Sequence, residues 1–143
     1  MSDRGSALRV WGVGVDVVEI GRFEAAIGRR ARMLERLFDA EEVAYAGEGP
    51  NRWERLAARF AAKEAIVKAA GGFRGSGWRE IVVGGRVLRP PTVSVRGPLG
   101  EWLRERGLEV RLSLAHERTV AVAVAMLAEG GGTEAPEERA ADD

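Results

Sequence analysis

Two lysines, two acidic side chains and one histidine carry most of the chemistry this chain could offer. Lys63 and Lys68 stand five residues apart in RFAAKEAIVKAA, residues 59–70, and are the only lysines among 22 lysine and arginine residues. Arginine stays charged and presents a flat fork, whereas lysine is a compact charge on a flexible stem whose pKa moves on burial. Lysine kept twice in one segment of an otherwise all-arginine chain points to a local need. Glu64 lies between the two, and Asp16 closes GVGVD near the N-terminus. Apart from Asp39, Asp16 is the only aspartate between residues 4 and 141. Two carboxylates from different elements suit Mg²⁺, which completes its shell with water and phosphate oxygens. Lysines beside the ion would neutralise phosphate charge. The set points to magnesium-dependent chemistry on a diphosphate or polyphosphate. Two plainer accounts compete. Lys63 can snorkel its charge to the rim of an apolar stripe, and Glu64 with Lys68 can form a helix ion pair contributing only ~0.2–0.5 kcal/mol.

Other chemistries are excluded or poorly supported. The chain has no cysteine, so disulfides, thiolate metal sites and cysteine catalysis are absent. His116 is the sole histidine. Ser113 lies three residues from it and would point to the opposite face of a strand, which argues against a serine nucleophile paired with His116. GVGVD is not a dinucleotide fingerprint, because its third glycine would fall on Val17. No G-x-x-x-x-G-K-[ST] run occurs.

These residues need a scaffold of 143 residues, a length that suits one domain. LRVWGVGVDVV reads as a strand with Trp11, Val13, Val15 and Val17 on one face and Val10, Gly12, Gly14 and Asp16 on the other. The glycine face implies close approach of a backbone or ligand. Ile20, Phe23 and Ile27 mark a short amphipathic helix, and ARMLERLF continues as helix or turn. Asp39 and Glu42 form a capping box for AEEVAYAG. The helix over about 50–70 has Leu56, Phe60 and Val67 as its stripe, with Ile66 and Ala70 beside it. Lys63 falls inside that stripe and Glu64 at its edge, a violation of binary patterning typical of functional or strained sites. A hairpin turning at Gly84–Gly85, a short strand TVSVR, a helix closed by Gly107, and two strands turning at HER complete the pattern. The last strand is apolar on both faces, with Val120, Val122 and Val124 opposite Ala121, Ala123 and Ala125, so both faces must be covered. The class is α+β, an antiparallel sheet packed on a long helix. Residues 1–8 are expected to be a flexible N-terminus, 9–128 the domain, and 129–143 a disordered acidic tail.

Net charge is zero, but six acids and one arginine fall in residues 129–143, and the remaining 21 bases and 16 acids leave residues 1–128 at +5. That suits an anionic ligand or an acidic partner and is too weak to argue for nucleic acid. No apolar run reaches membrane-spanning length, so a cytoplasmic location is expected.

The segments GVGVDVVEIGRFE, FDAEEVAY, RFAAKEAIVKAAG, GSGWREIVV and LSLAHERTVAVAVAML, from about Val10 to Leu127, resemble the small holo-acyl-carrier-protein synthases, the short class of 4′-phosphopantetheinyl transferases. The chain departs from them at AAGGF, where a glycine–threonine–glycine loop is common, and at AHE, where a serine usually precedes the histidine. The resemblance implies transfer of phosphopantetheine from coenzyme A to a serine of an apo acyl carrier protein, with release of adenosine 3′,5′-bisphosphate. It implies Mg²⁺ on Asp16 and Glu64, catalytic roles for Asp16, Glu64, Lys68 and His116, and coenzyme contacts from Arg59, Phe60, Lys63, Lys68, Gly71, Gly72, Pro91 and His116. It also implies a homotrimer with active sites between subunits, and carrier-protein docking on Arg22 and Arg29. The acceptor of the serine proton stays open between Glu64 and a coordinated water. A non-catalytic carrier-protein- or nucleotide-binding module on the same fold is the alternative.

Overall fold

Alternation in the first strand decides how the sheet meets its helix. The computed structural model describes residues 7–30, 32–85 and 90–130. Strand β1, Val10–Glu19, turns Gly14, Asp16 and Val18 inward and leaves Val13, Val15 and Val17 exposed. Gly12 and Gly14 lie against the backbone of helix α4, Arg52–Ala70, where any Cβ would collide with the carbonyl oxygens of Ala69 and Ala65. The expected close approach is thus helix backbone. Helix α4 answers with small residues: Ala57, Ala61, Ala62, Ala65 and Ala69 are buried. Leu56 and Ile66 anchor it, and full burial of such a side chain contributes ~1.5–3 kcal/mol.

Between them run α1 (Ile20–Gly28), α2 (Met33–Leu37) and α3 (Ala40–Ala46). Ile20, Phe23 and Ile27 form the buried side of α1. The Asp39–Glu42 capping box opens α3. At its other end Arg52 Nη1 donates to Gly47 O at 2.5 Å and Arg55 Nη1 to Ala46 O at 3.3 Å, partnering carbonyls that a helix end leaves free. After α4, a 3₁₀ turn at Trp78–Glu80 leads into β2 (Ile81–Gly84), β3 (Thr92–Val95), α5 (Gly97–Glu105), β4 (Leu108–Glu117) and β5 (Val120–Glu129).

The strands make two antiparallel sheets, one ordered β1-β5-β4 and one pairing β2 with β3. The α+β class and the antiparallel sheet on a long helix stand as expected. Three local readings need correction. The partner of β2 is TVSV, with Ile81 opposite Val95 and Gly84 opposite Thr92, so Gly84–Gly85 is no two-residue turn. The rest of the expected second arm, residues 86–89, lies outside the described residues. The β4–β5 turn is Arg118–Thr119, with His116 and Glu117 still paired to Ala121 and Val120. Strand β5 runs to Glu129, one residue past the expected domain end. Residues 1–6 and 131–143, where the flexible terminus and acidic tail were expected, lie outside the described residues. Among the described residues no helix is long and apolar enough to cross a membrane.

Candidate active site

Asp16 reaches the site because β1 alternates, and Glu64 and Lys68 because they stand one turn apart on α4. Asp16 is buried; its Oδ1 accepts from Lys68 Nζ at 2.9 Å, and Lys68 also donates to Val15 O at 3.1 Å. The lysine therefore turns to β1. Asp16 Oδ2 is buried and, with Glu64 ionised, meets no hydrogen-bond donor. The half-buried Glu64 carboxyl faces Asp16. Burial, then the hydrogen bond and charge of Asp16, push its pKa up to about 7 against the pull of Lys68. With both acids ionised each is only an acceptor; a proton on Glu64 makes it a donor towards Asp16. Asp16 in turn raises the pKa of the exposed Lys68. Among the described residues no three His, Cys, Asp or Glu side chains converge. The oxygen-only pair with an unmatched buried oxygen fits a hard cation that brings most of its own shell, as Mg²⁺ does, and does not fit a four-ligand zinc centre.

Lys63 requires a correction. Its ammonium is fully enclosed, donating to Glu42 Oε1 at 2.6 Å and to Trp78 O at 2.9 Å, with Nζ 5.1 Å from the Phe38 ring centre. Burial pulls its pKa down while Glu42 pulls it up. Glu42 also accepts from the Asp39 and Val83 backbone N–H groups. Lys63 thus ties α4 to α3 and to the 3₁₀ turn from inside, with Glu42 carrying the link on to β2, and its ammonium is enclosed by protein rather than turned to a cofactor. Glu42 was read only as a capping residue. The signal for its second role was a lysine in an apolar stripe that needed a buried acid.

His116, Arg59 and Pro91 come together elsewhere, in a cavity of about 670 Å³ also lined by Arg55, Tyr45 and Asn51. Arg59 donates to Val83 O at 3.1 Å and Arg55 O at 3.2 Å, and its guanidinium lies 4.2 Å from the Tyr45 ring centre. Arg55, one turn before Arg59, was missed although the i, i+4 spacing displays it. In one chain this cavity does not reach the carboxylates: Asp16 is on β1, His116 on β4, and β5 lies between them, roughly 10 Å of sheet. Gly71 and Gly72 follow α4, and their N–H groups bond Lys68 O and Val67 O. Both N–H groups are thus spent on the helix end; the space beside Gly72 is open, while at Gly71 a Cβ would stand 3.6 Å from Arg74 Nη2. Phe60 stacks on Phe23 at 5.3 Å and, with Arg22 and Val17, lines a groove of about 500 Å³ at the junction of β1 and α1. Arg22 and Arg29 are both exposed.

The sequence profile of the 4′-phosphopantetheinyl transferase superfamily matches residues 12–125. A holo-(acyl-carrier-protein) synthase of Cupriavidus pinatubonensis is 40% identical over 136 residues, covering 90% of this chain and 97% of that protein. The crystal structure of the holo-(acyl-carrier-protein) synthase from Neisseria meningitidis aligns with a TM-score of 0.74 at 31% identity, over 83% of this chain and 98% of that one. A Bacillus anthracis synthase in complex with CoA (3′,5′-ADP) aligns at 0.69 and 28% identity, over 85% and 98%.

Proposed function

The chain belongs to the 4′-phosphopantetheinyl transferase superfamily, and from that premise we propose that it transfers 4′-phosphopantetheine from coenzyme A to a serine of an apo acyl carrier protein. The observation that carries the reading is the Asp16–Glu64 pair with its unmatched buried oxygen and Lys68 across it. Asp16 and Glu64 would hold Mg²⁺, which when bound supplies charge neutralisation at the pyrophosphate. Lys68 uses two of its three N–H donors on β1, leaving the third for a phosphate oxygen. The serine oxygen forms a bond to the phosphorus bearing the pantetheine arm, and the bond from that phosphorus to the bridging oxygen breaks. Adenosine 3′,5′-bisphosphate leaves. Glu64 and water are the acceptors the site offers for the serine proton. Positioning and charge carry most such displacements.

The exposed valine face of β1 and β5 supports a homotrimer, since Val13, Val15, Val17 and Val124 are each more than 40% exposed in one chain. It also supports active sites between subunits, with the His116 cavity of one copy beside the carboxylates of the next. The basic run over residues 22–36, with Arg22 lining the groove of Val17 and Phe60 and with Arg29 exposed, suits an acidic carrier protein. Coenzyme A as co-substrate suits a reaction in the cytoplasm. The test is intact-mass analysis of apo carrier protein after incubation with the chain, coenzyme A and Mg²⁺. A phosphopantetheine adduct is expected with Mg²⁺ and not with chelator. An unmodified carrier protein under both conditions sinks the reading.

A further inference from the structure

Three local irregularities meet at the end of α4 that presents Lys68. First, the β1–β5 register shifts between Val10 and Gly12, so Trp11 is an extra residue with no partner on β5. A bulge re-aims the side chain it carries, and the Trp11 ring stands edge-on to Trp102 of α5, centres 4.8 Å apart at 77°. Period-two alternation had placed Trp11 on the valine face. Second, Arg74 holds a left-handed backbone, φ 52°, which a residue with a Cβ adopts only under constraint. Third, its guanidinium lies 3.8 Å from the Trp102 ring centre and 5.6 Å from that of Trp11, while its Nε donates to Ala70 O at 2.8 Å. Ala70 ends α4, and its carbonyl is one a helix leaves unpaired. Arg106 adds a second cation 5.0 Å from the Trp102 ring centre.

The loop over residues 71–77 is thus held twice: by Arg74, and by Ser76, whose Oγ donates to Arg96 O and accepts from Leu99 N. Gly71 and Gly72 lie between the first anchor and the last turn of α4. We propose that Arg74 is a positioning residue, stacked on Trp102 and Trp11 so that the Gly71–Gly72 backbone is held in place beside Lys68, with the open side of Gly72 available to coenzyme A. The proposal takes its ligand from the functional reading above. Without the stack, the left-handed backbone at Arg74 loses its constraint and the loop samples other conformers. Apparent affinity then falls with the fraction of competent loop. Chemistry in the bound complex is untouched, because Asp16, Glu64 and Lys68 keep their own contacts.

The test uses Arg74→Gly and Trp102→Leu in the full chain. Glycine tolerates the left-handed backbone, so Arg74→Gly removes the stack without adding strain. Both variants are expected to raise Kd and KM for coenzyme A about tenfold, to hold kcat within about twofold, and to speed amide exchange over residues 72–77. An unchanged KM with unchanged exchange in Arg74→Gly overturns the proposal, as does a loss of kcat at constant KM. Should the wild-type chain neither bind coenzyme A nor modify a carrier protein, the functional reading falls. Exchange over 72–77 then judges the clamp: slow in wild type and fast in Arg74→Gly supports it, and equal rates overturn it.

Discussion

Helix α4 carries two lysine–carboxylate pairs with the same chemical groups and opposite states of satisfaction. Lys63 and Glu42 are 0% and 1% exposed, and each carboxylate oxygen of Glu42 has a donor. Lys68 and Asp16 are 56% and 9% exposed, and one buried oxygen of Asp16 has none. Glu64 adds a second acid to the open pair and none to the closed one. A closed network gains from low dielectric, and an incomplete one is costly unless something outside the chain completes it. Residue type therefore does not separate the two pairs; the count of unmet hydrogen bonds does.

Breaking the closed pair has the largest effect. Glu42→Leu strands the Lys63 charge among buried apolar groups and is expected to cost about 3–5 kcal/mol in chemical denaturation. The double variant Glu42→Leu/Lys63→Met removes both charges and should lose less than the sum of the singles. A Glu42→Leu chain within about 1 kcal/mol of wild type would end the claim that this pair is structural. The open pair should respond in the opposite sense. Asp16→Asn is expected to lower transfer by about 10²–10³-fold and to leave stability within about 0.5 kcal/mol, because the lost ion pair is solvent-screened and like-charge repulsion with Glu64 goes with it. Turnover near wild type at saturating Mg²⁺ would remove Asp16 from the metal site.

The open pair was the more legible of the two. Asp16 could be placed by alternation along β1, and Glu64 with Lys68 by helix periodicity, because both signals are local. The direct partner of each could not. Lys68 bonds Asp16 across 52 residues and Lys63 bonds Glu42 across 21, and no periodicity encodes such pairings. Glu42 already had a complete local explanation in its capping box, which hid its long-range contacts. The alanine face of α4 was overlooked for a related reason. Alanine gives a weak amphipathic signal, although matched to Gly12 and Gly14 it brings helix and strand backbones together. The Trp11 bulge is a register effect, visible only once β5 is paired.

Exchanging lysine for arginine sharpens the contrast at lower cost. Lys68→Arg keeps the charge but replaces a compact ammonium by a fork, and about a tenfold fall in kcat/KM with unchanged stability is expected. Lys63→Arg should instead lower stability by crowding a filled site, about 1–3 kcal/mol, and impair activity only in proportion to unfolded protein. Both are read from steady-state kinetics beside denaturant titrations. If Lys68→Arg acts on stability and Lys63→Arg on kcat, the assignment of the two pairs is reversed.

The smallest expected effect is a pH dependence confined to the open pair. Native Glu64 titrates near 7, raised from an ordinary carboxylate value of 4.5. Between those values the native state holds more protons than the unfolded chain, so stability falls as pH rises. The contribution is complete below about pH 4.5 and is lost as pH passes about 7. Glu64 is only half-buried, and screening by solvent holds the loss below about 1 kcal/mol. Unfolding free energies measured in chelator between about pH 5 and pH 8 should therefore decline slightly in wild type, and the Glu64→Gln profile should lack that component. A divalent cation must displace the same proton. Adding Mg²⁺ should flatten the wild-type profile and leave that of Glu64→Gln unchanged, with apparent Mg²⁺ affinity rising with pH to a plateau above about 7. Superimposable profiles for the two proteins in chelator would mean that the carboxyl near Asp16 carries no proton at neutral pH. The open pair would then differ from the closed one only in its exposure to solvent.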